Sequence, residues 1–259
     1  METGAFAMFD ALGIRGVWAK HKADEVIRKF ESIAAGGRNL VDREFGGVGH
    51  PNTRKSDNFV KSVRLGFISD TVVIGFVNKE KQHPVFAVMM AARYAGEIAQ
   101  LGLEGPVPWA YRGVITYGRF AIHESGSFFV GPAVDEAAAN YERVDAAMTW
   151  LTPSANAVMS HATDSDFQGA VTREVHDIPL KNDGKSPASH KGHVASPFPM
   201  LSTPAEAASI AAALLDTFDL SKPGVQEKHL NTKVFLERHL KEHGAIWRAQ
   251  RALVSKFYR

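Results

Sequence analysis

Residues 63–76 constrain this chain most. Two apolar, β-branched runs, Val63 to Ile68 and Thr71 to Phe76, flank the polar pair Ser69-Asp70. That pattern predicts a β-hairpin with a two-residue turn. The run Val72 to Phe76 is apolar at every position, which predicts a strand covered on both faces. Asp70 then sits at the hairpin tip, on the rim of the core. Taken alone, an aspartate there reads as a turn residue.

The neighbouring segments extend the pattern. Residues 5–12 read as a central strand running into Asp10, followed by the glycine-spaced loop Gly13-Ile14-Arg15-Gly16. Apolar residues at helical spacing between Trp18 and Ala35 predict an amphipathic helix with a solvated basic face, ended by Gly36-Gly37. Residues 38–58 read as a long loop. Pro84 opens a second helix ending near Gly102. Strands are expected at 110–118, 119–122 and 127–130, with a helix after Gly131-Pro132. The order strand, helix, hairpin, helix, strand is the split βαβ arrangement. Beyond about residue 164 the chain turns polar. Residues 181–204 read as a loop punctuated by Pro and Gly. Thr203-Pro204-Ala205-Glu206 is a helix start, and further helices are expected at about 225–242 and 245–257.

Composition excludes several classes. The chain has 259 residues, a formal net charge of +2 and no cysteine. Disulfides, thiolate metal sites and a cysteine nucleophile are excluded, and a reducing compartment fits. The near-neutral charge gives no reason to expect a nucleic-acid or membrane partner. No apolar run reaches the ~20 residues of a membrane span, and no signal-peptide pattern opens the chain. A cytoplasmic protein is expected.

In this order, four marks resemble the class III nucleotidyl cyclase domain of adenylate and guanylate cyclases. They are the strand ending at Asp10, the tip Ser69-Asp70, the strand Arg112-Gly113-Val114-Ile115-Thr116-Tyr117-Gly118, and the helix start Gly131-Pro132-Ala133-Val134-Asp135. The resemblance covers residues 3 to 160. It implies an α+β fold with a ferredoxin-like βαββαβ core, helices on one face of the sheet, and a partly helical C-terminal extension. The expected division is a catalytic domain at 1–165 and an extension at 166–259.

The resemblance also implies a site. Asp10 and Asp70, with the Ala11 carbonyl, would hold two Mg²⁺ or Mn²⁺ ions, which take hard oxygen ligands. Two carboxylates on neighbouring strands repel unless a cation lies between them. Gly13, Ile14, Arg15 and Arg112 would bind a triphosphate. The family's transition-state asparagine and arginine fall here at Asp135 and Ala139, with Arg143 one turn further along. The family's purine-reading positions fall at Gly66 and Phe128, and neither carries a purine-reading group. This absence is similar to the pyrimidine cyclases of the Pycsar anti-phage systems, with Arg64, Lys61, Arg54 or Phe128 near the base. The implied reaction converts UTP, or CTP, to a cyclic nucleotide and pyrophosphate. The implied assembly is a homodimer with shared sites, whose product acts on a separate effector. Two alternatives remain: a nucleotide sensor without turnover, and a purine cyclase with relocated base readers.

Two further motifs read as bland. His239-Leu240-Lys241-Glu242-His243 has the spacing of a zinc-protease helix but no acidic residue follows it. It is expected as two histidines on a solvated face. Asp164-Ser165-Asp166 reads as surface loop.

Overall fold

The computed structural model describes residues 1–12, 14–45, 63–68, 70–78, 83–123, 128–163, 169–181, 189–198 and 202–257. The order is β1 (Glu2–Ala11), a 3₁₀ turn (Ile14–Ala19), α1 (Ala23–Phe45), β2 (Val63–Ile68), β3 (Thr71–Val77), α2 (Pro84–Leu103) and β4 (Tyr111–Ile122). Then come β5 (Phe129–Val130), α3 (Pro132–Asn140), β6 (Thr149–Leu151), α4 (Pro153–Met159), β7 (His176–Pro179), β8 (Ser189–Gly192), β9 (Val194–Ala195), α5 (Pro204–Asp216) and α6 (Val225–Phe257). The main sheet runs β2-β3-β1-β4-β6-β9, with β5 added on β4. β1, β3, β2 and β4 pair antiparallel, the ferredoxin-like order.

Alternation along β1 sorts the core. Ala5, Ala7, Phe9 and Ala11 face α1, α2 and α4 together with Val72, Ile74 and Phe76 of β3. Phe6 and Met8 face the other way, toward α3, Trp150, Phe198, Leu214 and Phe235. The expected α+β architecture is present, and helices lie on both faces of the sheet. The second face is filled by α3, α5 and α6, because its strands are apolar there too.

Several elements differ from expectation for identifiable reasons. Helix α1 runs through Gly36 and Gly37. These glycines let α2 approach: a Cβ on Gly36 would lie 2.9 Å from the Leu101 methyls, and one on Gly37 would meet the Tyr94 hydroxyl. Lys29 is not on a solvated face. It is buried, and its ammonium donates to the carbonyls of Leu101, at 2.6 Å, and Glu104, at the end of α2. Burial pushes that ammonium down to about 8. β4 is one strand where two are expected, since nothing at Gly118-Arg119 interrupts its pairing with β1. Strands β8 and β9 lie in the segment expected as loop. The predicted pair of C-terminal helices is one helix, uninterrupted at Gly244. The tip of the hairpin agrees with expectation: Ile68 pairs Thr71.

The two histidines of α6 are buried, not solvated. His239 stacks between Phe198 and Phe235, at 5.3 and 5.6 Å, and its Nε2 lies 2.9 Å from Ser196 Oγ. His243 Nε2 meets the Ser202 carbonyl at 2.9 Å. The pair forms the apolar side of the helix that covers the sheet. His176 lies edge-on to Phe235 at 5.4 Å, and burial, with Arg238 next, pushes its pKa down to about 4. The unfolded chain protonates this imidazole near pH ~6.5. Between there and about pH 4 the unfolded state binds the extra proton, so stability falls as pH falls, by on the order of 2–3 kcal/mol. Urea unfolding at pH 7 and pH 4.5 should show this loss, and His176→Gln should reduce it. Equal losses in both proteins would remove His176 as the cause.

Candidate active site

The register of one strand assembles the site. On one side Asp10 pairs with Thr71, next to Asp70. On the other side it pairs with Arg112. Both chemically distinctive residues therefore flank the last pair of the central strand. Arg112 donates to Asp10 Oδ2 from Nη2 at 2.9 Å and from Nε at 3.2 Å. Its Nη1 donates to the Glu142 carbonyl at 3.1 Å. The side chains of Arg112 and Asp10 are only 9% and 14% exposed, so this is a partly desolvated, charge-assisted contact.

Burial and the Arg112 charge act on Asp10 in opposite directions. Burial raises the Asp10 carboxyl above the usual range, Arg112 pulls it down, and Asp70 and Glu142 push it up again. The rise comes first from burial, with the two neighbouring carboxylates adding to it. Among the described residues, no three His, Cys, Asp or Glu side chains are grouped to hold a metal. That does not exclude magnesium or manganese, which take one or two carboxylates and complete their shell with water and substrate phosphates. The β1–β3 pairing stops at Asp10–Thr71, one residue short of Ala11. Two carboxylates and that carbonyl are hard donors, and they fit such an ion.

The cleft above these residues encloses about 640 Å³. Asp10, Asp70 and Arg112 lie at its base. Ile14, Val17, Lys20 and His21 form one side, with Trp109 beside them. Tyr141, Glu142 and Lys181 form another, the connector between α5 and α6 supplies Phe218, Asp219 and Lys222, and the first turn of α6 supplies Lys228. The connector reaches the cleft because Asp10 and Arg112 point to the sheet face that α5 and α6 cover. Burial first, then Arg112, with Lys228 also opposing, hold the Lys181 ammonium below its usual range.

The other predicted residues fall elsewhere. Asp135 is exposed on α3 and does not line the cleft. Arg143 is not one turn along that helix, because α3 ends at Asn140; its Nη1 bonds Asn140 Oδ1 at 3.2 Å. Arg64 is half-buried on β2, its Nη1 on the Val63 carbonyl at 3.1 Å, outside the cleft. Phe128 is 70% exposed beyond β5, which pairs the end of β4 opposite Arg112. Gly13, Arg54, Lys61 and residues 164–166 lie outside the described residues, as does the side chain of Arg15. Sequence reasoning did not find Tyr141, Glu142, Lys181, Lys222 or Lys228. They belong to no motif: Tyr141 and Glu142 come from the end of α3, where the Glu142 carbonyl accepts from Arg112, and the packing of the extension brings Lys181, Lys222 and Lys228 to the cleft.

No protein family and no curated protein matches the chain in sequence. Solved structures match its fold. The catalytic core of a rhodopsin-guanylyl cyclase with converted specificity, in complex with ATPαS, gives a TM-score of 0.51 at 11% identity, over 75% of this chain and 95% of that one. Adenylate cyclases from Trypanosoma brucei in their monomeric state give 0.50 at 13%, over 77% and 91%. A dimeric guanylyl cyclase domain of the RhoGC fusion protein from the aquatic fungus Blastocladiella emersonii gives 0.50 at 10%, over 75% and 96%. The chain has the class III nucleotidyl-cyclase-like fold. No helix among the described residues is long and apolar enough to cross a membrane.

Proposed function

We propose that the cleft binds a nucleoside triphosphate and cyclises it. One observation carries the reading: the register of β1 gathers Asp10, Asp70 and Arg112 at the base of one cleft. Asp10, Asp70 and the Ala11 carbonyl would hold Mg²⁺ or Mn²⁺, which would supply Lewis acidity to the reaction. Arg112 orients Asp10 and presents its guanidinium to phosphate. The 3′-hydroxyl gives its proton to solvent water, its oxygen bonds the α-phosphorus, and the bond from that phosphorus to the α–β bridging oxygen breaks to release pyrophosphate. Asp135 and Arg143 lie off the cleft of their own chain, so any part they play is in a second copy of a homodimer.

The similar structures are purine cyclases by title, while Gly66 and Phe128, which lie off this cleft and would face a nucleotide only across a homodimer, offer no purine-reading group. The reading therefore favours a pyrimidine triphosphate, UTP before CTP, with cyclic UMP passed to an effector. A second reading is nucleotide binding without turnover. The Asp10–Arg112 ion pair favours it, since it occupies one carboxylate oxygen of the metal pair. Incubation with each of the four nucleoside triphosphates and Mn²⁺, with mass analysis of products, decides between them. Cyclic UMP is the expected product. Cyclic AMP or cyclic GMP as the main product would overturn the base assignment, and saturable binding with no cyclic product would select the sensor.

A further inference from the structure

We infer that the connector between α5 and α6, together with the first turn of α6, is a phosphate-binding arm, closing the cleft from within the same chain through Lys222 of the connector and Lys228 of α6. This rests on the reading that the cleft takes a nucleoside triphosphate, and it assigns the outer phosphates to residues of the extension.

Three observations support it. Cations crowd this side of the cleft. Arg112, Lys181 and Lys228 lie within electrostatic reach of one another, and Lys20 and Lys222 stand opposite. Carboxylates of the same chain hold them there, Asp10 for Arg112, Asp145 for Lys228 and Asp219 for Lys20 and Lys222, and an incoming polyanion would compete for these cations. The start of α6, which carries Lys228, is also firmly seated. Asn231 Nδ2 donates to the Asp145 carbonyl at 3.0 Å, Thr232 Oγ1 accepts from the Ala147 amide at 2.8 Å, and Lys228 pairs Asp145 at 3.4 Å. Finally, one carboxylate stands in for the anion. Asp219 Oδ2 lies 3.5 Å from Lys20 Nζ and 3.8 Å from Lys222 Nζ, while its Oδ1 accepts from Ser221 Oγ at 2.6 Å. Asp219 thus holds both lysines at the mouth of the cleft. A polyphosphate, with more charge than one carboxylate, would displace it and draw the two lysines inward. Phe218 and Tyr141 also line the cleft.

The test is binding of inorganic tripolyphosphate, UTP and ATP to the full chain, measured by calorimetry with Mn²⁺ present. Lys222→Glu alters a half-exposed side chain and should weaken tripolyphosphate and nucleotide binding about tenfold or more, as expected for reversing one charge-assisted contact. Asp219→Asn removes the competing carboxylate and should tighten tripolyphosphate binding severalfold, which a merely structural role would not do. If the wild type binds nucleotide, Asp70→Asn changes that binding, and both connector variants bind as wild type, the arm is refuted while the cleft reading stands. If the wild type binds none of the three probes, the cleft reading fails and the arm with it. Should Lys222→Glu lower the thermal midpoint, Lys222→Gln and Asp219→Asn carry the test. Unchanged affinity in both would overturn the proposal.

Discussion

Asp10→Asn and Asp70→Asn should each reduce cyclic nucleotide formation by at least about a hundredfold, the scale on which one preorganised charge contributes to a transition state. Both residues flank the last pair of β1, so either change halves the carboxylate donors available to a cation. The choice of asparagine matters at position 10. Arg112 is buried against Asp10, and truncation to alanine would leave its guanidinium without a charge partner. That costs about 3–5 kcal/mol and would confuse lost chemistry with lost folding. Asparagine keeps an oxygen for Arg112 Nη2 and nearly the same volume. Asp70 sits on the turn and its removal should leave the thermal midpoint within a few degrees. Wild-type turnover in either folded variant would remove the paired-carboxylate mechanism. Should the wild type bind nucleotide without turnover, the same two variants should lose Mn²⁺-dependent binding.

Ending the chain after Thr163 should abolish folding rather than release a free catalytic domain. The extension completes the sheet and its core: β9 pairs β6, and Phe198, Leu214 and Phe235 cover Phe6, Met8 and Trp150. Without them a wide apolar surface of the central strands meets water, at about 25 cal/mol per Å². Native stability is only about 5–15 kcal/mol, and the loss of several buried aromatic and leucine side chains exceeds that. Insoluble protein, or soluble protein without a cooperative unfolding transition, is the expected outcome. A truncated chain that unfolds cooperatively would establish residues 1–163 as an independent unit. Otherwise the division near residue 165 marks the end of the ferredoxin-like order and nothing more.

The elements read correctly from sequence are those whose signals are local. The hairpin at 63–76 carries its own turn chemistry and alternation, and Thr203 with Glu206 forms the capping box that the sequence of α5 announces. The elements misread are those decided by distant partners. Gly36-Gly37 signals a helix end, yet contact with Leu101 and Tyr94 makes it the place where two helices touch. Ser189 to Gly192 has no strand signature, and its pairing with β7 supplies one. His239 and His243 look like surface residues because their partners, Phe198, Ser196 and Ser202, are about 40 positions away. The site divides in the same way. Asp10, Asp70 and Arg112 lie on strands whose register can be anticipated from a motif. Lys181, Lys222 and Lys228 have no pattern between them, and their meeting depends on how two helices pack on a sheet.

The placement of β1 has a consequence for how the chain is made. It lies at the middle of the sheet, and its neighbours are β3, about 60 residues later, and β4, about 100 residues later. At synthesis rates of about 5–20 residues per second, β1 waits roughly five to twenty seconds before β4 can pair with it. In that interval Phe6, Met8 and Phe9 are exposed on a strand with two unpaired edges. Such segments associate with other chains or with chaperones. Production of this protein should therefore benefit from slow translation at low temperature. Polar substitutions in the extension would do less for its yield than protecting β1 until β3 and β4 are made.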